Sequence, residues 1–353
     1  MKNIYALAYL HTFSHVSHVV LRRIWEYSKG EVGAFLNDLS REKLLAVGVS
    51  GEHVKNILDT YSLVEAERLA QYIEDMSIDI VLEHEKDFPD ILRYVDPNPF
   101  MLYIRGNSDL FEERLLGVIG SRRASPYGIS AVKYIVPPVI RGGVVVVSGL
   151  AMGIDGIAHQ MAVDARVPTI AVMGTGVDVV YPSMHKKLAQ EIIDHNGCLL
   201  SDLPLGTLPM PFNFPLRNRL ISSLSHALLV IEAGEKSGTL GTVRCALEMG
   251  RDVFAVPGNI FSVQSKGTNT LLERAEAHPC VSAEGILDFF GIPRIVKVDE
   301  AGHPMLKYFR EEFESKEVIF KRTEMSFEAF QAMVTELELL GNIEERSGWF
   351  RLL

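Results

Sequence analysis

A chain of 353 residues is about 2.4 times the roughly 150 residues of an average domain, so one large body with smaller appendages is expected and a lone mini-domain is excluded. With 47% hydrophobic, 8% aromatic and 23% charged residues, it falls in the globular range and away from compositions that stay disordered. The formal net charge of -10 argues against non-specific coating of polyanions, but residues 114–280 hold 15 basic and 12 acidic side chains, a net of +3, and leave -13 for the flanks. Because phosphate recognition depends on the local field, the total excludes neither a nucleotide nor a nucleic acid.

No apolar run approaches the ~18 residues of a membrane helix; the longest are interrupted at Gly142, Gly143 and Ser148. His11, His15 and His18 break the N-terminal stretch and no small-residue cleavage site follows, so it reads as mature protein. Cys198, Cys245 and Cys280 are widely spaced without a CxxC pair, which points to a reducing cytoplasm and to neither zinc nor a disulfide framework.

Residues 1–105 read as a small helical domain, with Leu7, Leu10, Val16, Val19, Val20, Ile24 and Trp25 recurring at spacings of three and four. Within it, Leu44 to Leu58 reads as two short helices joined by a turn with Gly48 and Gly51. This is either a plain helical hairpin or a helix-hairpin-helix whose turn amides hold a phosphate. Pro89, Pro97 and Pro99 end the helical pattern, and Met101–Ile104 reads as a short strand before a turn at Arg105–Asn107.

From Leu115 the pattern becomes α/β. Apolar strands are expected at residues 116–119, 143–147, 169–172, 198–200, 227–231 and 253–256, each followed by small residues and a helical stretch. Such alternation implies an extended Rossmann-like parallel sheet over 106–292, covered on both faces, with ligands at the carboxyl ends of its strands. A linker is expected at 293–303. The last unit, 304–353, combines an amphipathic helix over 327–340 with a hairpin over 341–352, a winged-helix-like pattern. Glu328, Glu336 and Glu338 on that helix oppose DNA, favouring a contact with protein or a regulatory role.

The strand-end loops hold the candidate chemistry. Gly120-Ser121-Arg122-Arg123-Ala124-Ser125 follows the first core strand, where a glycine lets backbone approach an anion, a helix N-terminus offers amides and guanidinium forks match phosphate oxygens. The loop from Ser148 and Gly149 to Gly153 is glycine-rich in the same setting, with amides able to face the same anion. Phe214-Pro215-Leu216-Arg217-Asn218-Arg219 places two arginines beside an aromatic that can stack a base. Lys236-Ser237-Gly238-Thr239 resembles a phosphate cradle but is no P-loop, since Glu235 replaces the glycine required before Lys-Ser. Gly174-Thr175-Gly176 supplies two of the three glycines of a dinucleotide fingerprint, too few for NAD. Ser148, Asp155 and His159 lack a nucleophile elbow, so Asp155 and His159 read as a pair anchoring a helix. His11, His15 and His18, spaced on one helix face, lack a carboxylate or cysteine partner for a metal.

In order and at matching spacing, GSRRASPYG, SGLAMGIDGIAH, TIAVMGTGVDVVYP, FPLRNRLISSLS, VIEAGEKSGTL and AVPGNIFSVQSKGTNTLL resemble the DNA-processing protein A (DprA/Smf) family. The match is strong from about Leu115 to Ala277. The resemblance implies a non-catalytic, cytoplasmic, homodimeric protein without cofactor or metal. Such a protein binds single-stranded DNA, protects incoming DNA and loads the RecA recombinase in natural transformation. It places the phosphate-binding loop on Gly120, Ser121, Arg122 and Arg123, the Arg-Asn-Arg element on Arg217, Asn218 and Arg219, and a further loop on Ser237, Gly238 and Thr239. Ser125, Gly149, Phe214, Lys236, Lys266 and Asn269 complete the expected DNA-binding set. Two positions depart from the family pattern: Asp202 stands where Glu is usual, and Arg274-Ala275 where Gly-Ala is common. The alternative is a phosphoribohydrolase acting on nucleoside monophosphates, whose PGGxGTxxE motif sets a glutamate one turn beyond its glycines; here no acid follows Gly241-Thr242-Val243.

Overall fold

A computed structural model describes residues 1–292, 305–310, 312–323, 325–339, 343–346 and 348–352. The linker expected at 293–303 lies outside the described residues. Met1–Ile292 forms one compact unit and the chain beyond it a second.

Six helices open the first unit: α1 (Asn3–His11), α2 (His18–Tyr27), α3 (Val32–Asn37), α4 (Arg41–Ala46), α5 (Gly51–Thr60) and α6 (Leu63–Asp75). α4 and α5 flank the anticipated turn, where Gly48 has a φ of +91°, a backbone conformation that residues with a side chain rarely adopt. α1 stops at His11, and His15 lies between helices with a φ of +74°. The three N-terminal histidines therefore do not share a helix face. His11 bonds to the Tyr103 hydroxyl at 3.0 Å, His18 to the Asp202 carbonyl at 2.8 Å, and His15 stacks on His53. Among the described residues, no group of three or more His, Cys, Asp or Glu could hold a metal ion.

The sheet runs β1 (Asp79–Leu82), β2 (Met101–Gly106), β6 (Cys198–Ser201), β5 (Thr169–Val172), β4 (Val145–Ser148), β3 (Leu115–Ile119), β7 (Ala227–Val230), β8 (Asp252–Ala255), β9 (His278–Pro279). β3 to β9 are parallel, whereas β2 pairs antiparallel with β6 and β1 with β2. Each core strand read from the sequence coincides with an observed one to within two residues. β1 and β9 were not anticipated: the first is a four-residue edge strand inside a segment read as helical, the second two exposed residues. The intervening helices are α7 (Pro126–Arg141), α8 (Ile154–Asp164), α9 (Lys186–Asp194), α10 (Asn213–Leu224), α11 (Thr239–Glu248), α12 (Lys266–Glu273) and α13 (Glu284–Phe289). Near-continuous burial along β3 to β7 follows from layers on both faces. The front helices belong to one of these layers, since Leu7, Leu10 and Ile73 share a core with Ala171, Ile192 and Leu199.

In the second unit, α14 (Lys316–Arg322) and α15 (Phe327–Leu339) pack on a sheet of order β10 (Glu314–Ser315), β12 (Trp349–Leu352), β11 (Ile343–Arg346) around Ile319, Phe330, Leu337 and Phe350. The antiparallel β11–β12 hairpin pairs Ile343 with Leu352 and Arg346 with Trp349.

His159 pins α8 to the sheet. The Thr169 hydroxyl donates to the Val146 carbonyl at 2.7 Å, so His159 Nδ1–H donates to Thr169 Oγ1 at 2.9 Å. Burial holds the ring's pKa down at about 3, helped by the neighbouring His185 and Arg217. The unfolded chain accepts a proton near pH 6.5 that the native ring refuses, so stability is complete above that pH and falls as pH drops from 6.5 towards 3. Each pH unit in this window removes up to about 1.4 kcal/mol per such ring. Urea denaturation at pH 7.5, 6 and 5 is expected to show this loss, and His159→Gln to reduce its slope, the remainder belonging to His11 and His18, whose rings burial also holds below their ordinary pKa; an equal slope in the variant would assign the acid sensitivity elsewhere.

Candidate nucleic-acid interface

The chain leaves β3 for β4, β5 and β6 on one side of the sheet, then returns to place β7, β8 and β9 on the other. Where the direction reverses, between paired β3 and β7, the loops after the two strands diverge and leave a crevice. That crevice is a cleft of about 1040 Å³. Residues 120–123 form one wall, the loop at 234–239 another and the N-terminal part of α10 a third, with Val263, Gln264 and Lys266 at its edge.

Of the expected DNA-binding residues, Gly120, Ser121, Arg122, Arg123, Phe214, Arg217, Asn218, Lys236, Ser237, Gly238, Thr239 and Lys266 line this cleft. Arg122, Arg123, Lys236 and Lys266 are exposed, and none of the four forms an ion pair among the described residues. The lining holds five cations against the two carboxylates Asp155 and Glu235. The loops are braced to each other: Ser121 Oγ accepts the Arg123 amide at 3.1 Å, and Thr239 Oγ1 donates to the Gly120 carbonyl at 3.1 Å. The Ile154 amide reaches the Ser121 carbonyl at 3.2 Å. Gly153, with a φ of +77°, lets these backbones meet, because a Cβ there would collide with the Ser121 carbonyl.

Two sequence expectations about backbone amides are corrected by internal carboxylates. The start of α7 is closed by the protein itself: Ser125 Oγ accepts the Gly128 amide at 3.1 Å, and buried Glu232 accepts the Ser125 amide at 2.9 Å and the Ser125 hydroxyl. Ser125 thus serves as a cap and lies outside the cleft. In the loop after β4, the amides of Gly149 and Ala151 point to Asp155, whose carboxyl is pushed up by burial against the opposing pull of Arg217 and these amides. Gly149 is buried, and a Cβ on it would lie 2.5 Å from the Arg217 guanidinium. By contrast, α11 opens towards the cleft on Gly238, with Ser237 Oγ accepting the Thr239 amide at 3.2 Å.

The two arginines of the Arg-Asn-Arg element point differently, as a spacing of two on a helix requires. Arg217 forms the floor of the cleft, donating to the carbonyls of Gly149 at 2.6 Å and Val172, and to Asn218 Oδ1 at 3.1 Å. Burial lowers its pKa to about 10, with Asp155 opposing, so it remains a cation at neutral pH. Arg219 faces away and pairs with buried Asp202 at 2.7 Å. Asn269 also lies outside the cleft, where it clamps Gly258 through the glycine's amide at 3.0 Å and carbonyl at 3.1 Å.

Phe214 covers Gly174, stacks obliquely with Tyr181 at 5.6 Å and lies under the Arg122 guanidinium at 5.2 Å. Tyr181 and Gln264 are cleft residues that the sequence reading missed; the VVYP segment follows β5 and offered the one signal, its position after a strand. Gly176 packs against Asp178, whose carboxylate accepts the Gly206 amide at 3.0 and 3.1 Å, so this glycine pair builds a loop and not a dinucleotide turn. Asp155 and His159 do not pair with each other, and Ser148 Oγ donates to the Val118 carbonyl at 2.6 Å. The three groups anchor backbone separately and assemble no triad.

These features define a Rossmann-like α/β protein with a cationic, aromatic-walled cleft at its topological switch point. The sequence matches the family model of DNA recombination-mediator protein A over residues 79–291, and the chain belongs to that family. DNA processing protein DprA of Bacillus subtilis is 35% identical over 254 residues, covering 72% of this chain and 83% of that protein. Protein Smf of Escherichia coli is 37% identical over 203 residues, covering 58% of this chain and 54% of its own length, so the chain spans about half of that relative. The X-ray structure of DprA from Streptococcus pneumoniae superposes with a TM-score of 0.67 at 29% identity, covering 82% of this chain and 98% of the other. DprA from Helicobacter pylori, whose structure concerns its single-stranded DNA binding mode, gives 0.55 at 29% identity, covering 61% and 96%.

Removing one partner of the buried Arg219–Asp202 pair strands the other charge, so Arg219→Met is expected to lose roughly 3–5 kcal/mol of stability in urea denaturation. The double change Arg219→Met/Asp202→Leu should recover most of it while oligonucleotide affinity stays unchanged. A weakened affinity in the stable double variant would return Arg219 to the DNA-binding set.

Proposed function

We propose that this chain binds single-stranded DNA in the switch-point cleft and breaks no bond in it. The observation that carries this reading is the gathering of Arg122, Arg123, Lys236 and Lys266, all exposed and without ion pairs among the described residues, around the α11 N-terminus and beside Phe214 and Tyr181. Cations and a helix N-terminus grip successive phosphates, and aromatic faces take bases of any sequence. The relative solved for its single-stranded DNA binding mode supports this choice of ligand. Membership in a recombination-mediator family supports the finer reading: a homodimer in the cytoplasm that protects incoming strands and loads the RecA recombinase. No helix among the described residues is long and apolar enough to cross a membrane. In the second unit, Glu344 engages both Arg346 and Arg351 at 2.7 and 2.5 Å, and Glu314 engages Arg322. Guanidiniums already paired make poor phosphate ligands, so we assign this winged-helix-like unit to contacts with protein.

The phosphoribohydrolase alternative requires a carboxylate positioned at a ribosyl carbon. Asp155 is buried beside Arg217, Glu232 is held by Ser125 outside the cleft, and Glu235 lies exposed on a loop. Thr242 faces the cleft from the first turns of α11.

Fluorescence anisotropy of labelled oligo-dT, run beside a duplex of equal length at several salt concentrations, tests the proposal. Salt-sensitive preference for the single strand is expected. Arg122→Ala/Arg123→Ala should weaken binding and reduce the slope of log affinity against log salt by about 0.7 for each phosphate that is no longer neutralised. An unchanged slope and affinity would remove this loop from the interface, and steady release of ribose phosphate from AMP would favour the hydrolase.

A further inference from the structure

The motif AVPGNIFSVQSKGTNTLL contains an apolar run of which Ile260 and Phe261 lie outside the cleft. Ile260, Phe261 and Val263 stand on the loop between β8 and α12, exposed by 74%, 87% and 66%. Four clamps hold this loop. Tyr127 donates its hydroxyl to the Pro257 carbonyl at 2.5 Å, Asn269 takes both the amide and the carbonyl of Gly258, and Asn259 Oδ1 accepts the Phe261 amide at 2.9 Å. The Ser262 amide closes a turn on the Asn259 carbonyl at 2.9 Å. A collapsing loop would bury its phenyl ring; here the backbone bonds keep the ring in water, at a hydrophobic cost that a bound partner would remove.

The loop is also continuous with the cleft. Two residues after Phe261, Val263 lines the cleft, followed by Gln264 and the exposed Lys266, which opens α12. An aromatic face and an unpaired cation thus adjoin on one short segment at the mouth of a basic groove. This is the chemistry of one nucleotide unit: an apolar face for the base and a positive charge for its phosphate. A protein partner would leave Lys266 and the cleft's other cations without a function in the contact, whereas an extended strand uses both.

We propose that Phe261 is a stacking platform for a nucleobase of the same strand whose phosphates occupy the cleft, with Lys266 holding the adjacent phosphate. The proposal rests on the single-strand reading above and extends the binding site beyond the switch-point loops. Stacking on an aromatic is tolerant of base identity, so the platform adds affinity without sequence preference.

The test measures oligo-dT affinity of the full chain carrying Phe261→Ala, Phe261→Trp and, separately, Arg122→Ala/Arg123→Ala. Phe261→Ala should weaken binding about five- to hundredfold at an unchanged salt slope, the range expected for one base–aromatic stack. Phe261→Trp should keep the affinity. A strand of equal charge made of abasic sites should bind the wild type and Phe261→Ala equally. Normal affinity in Phe261→Ala, with the arginine double variant impaired, overturns the platform and leaves the cleft reading standing. Loss in neither variant overturns the cleft reading itself. Weakening that follows a change in sedimentation of the DNA-free protein identifies the ring as a contact between copies of the chain and overturns the stacking role.

Discussion

The buried guanidinium of Arg217 is the interaction on which the site's geometry depends. It joins α10 to the ends of two neighbouring strands, through the carbonyl of Gly149 just beyond β4 and that of Val172 at the end of β5, while Asp155 supplies the balancing charge. Unpaired carbonyls at the carboxyl ends of parallel strands are an electrostatic liability when buried, and a cation placed over them satisfies several at once. Gly149 is required because any side chain would occupy the space of the guanidinium. The floor of the cleft is therefore positive as a consequence of how the sheet is closed, before any ligand is considered.

Glu232 does for the β3–β7 side what Arg217 does for the β4–β5 side. Its carboxylate, just past β7, ties down Ser125 at the start of α7 after β3. With one carboxylate engaged at each of α7 and α8, the loop carrying Arg122 and Arg123 is fixed at its base while its two guanidiniums remain in solvent. Rigid loop bases and free cationic tips settle the orientation of the donors in advance, so the proposed single strand would meet a surface that needs little ordering. The acidic flanks form their own ion pairs, such as Glu83 with Arg22 and Glu344 with Arg351, and leave the basic excess to the switch point.

The arrangement also separates residues adjacent in sequence. Arg217 and Arg219 belong to one short motif, yet one forms the floor of the cleft and the other closes a buried contact with Asp202, beside His18 from the helical front segment. The sheet edge is thereby joined to the front helices through charged and aromatic groups as well as through the shared apolar core.

Strand and helix periodicities, the glycines after strands and the clustering of arginines determined the parallel α/β core, the positions of its strands and the segments that hold Arg122, Arg123, Lys236 and Phe214. These features are local: they follow from side-chain alternation, turn chemistry and charge within a few residues. Tertiary structure alone decided which polar groups face the cleft. The amides after β4 are consumed by Asp155, Ser125 by Glu232, Asn269 by Gly258 and Arg219 by Asp202. Each of these partners is distant in the chain or on another turn, and a hydrogen bond to a partner brought by the fold leaves no mark on the local pattern. The short strands β1 and β9 were hidden for the same reason, since they exist through pairing with β2 and β8 and carry no periodicity of their own.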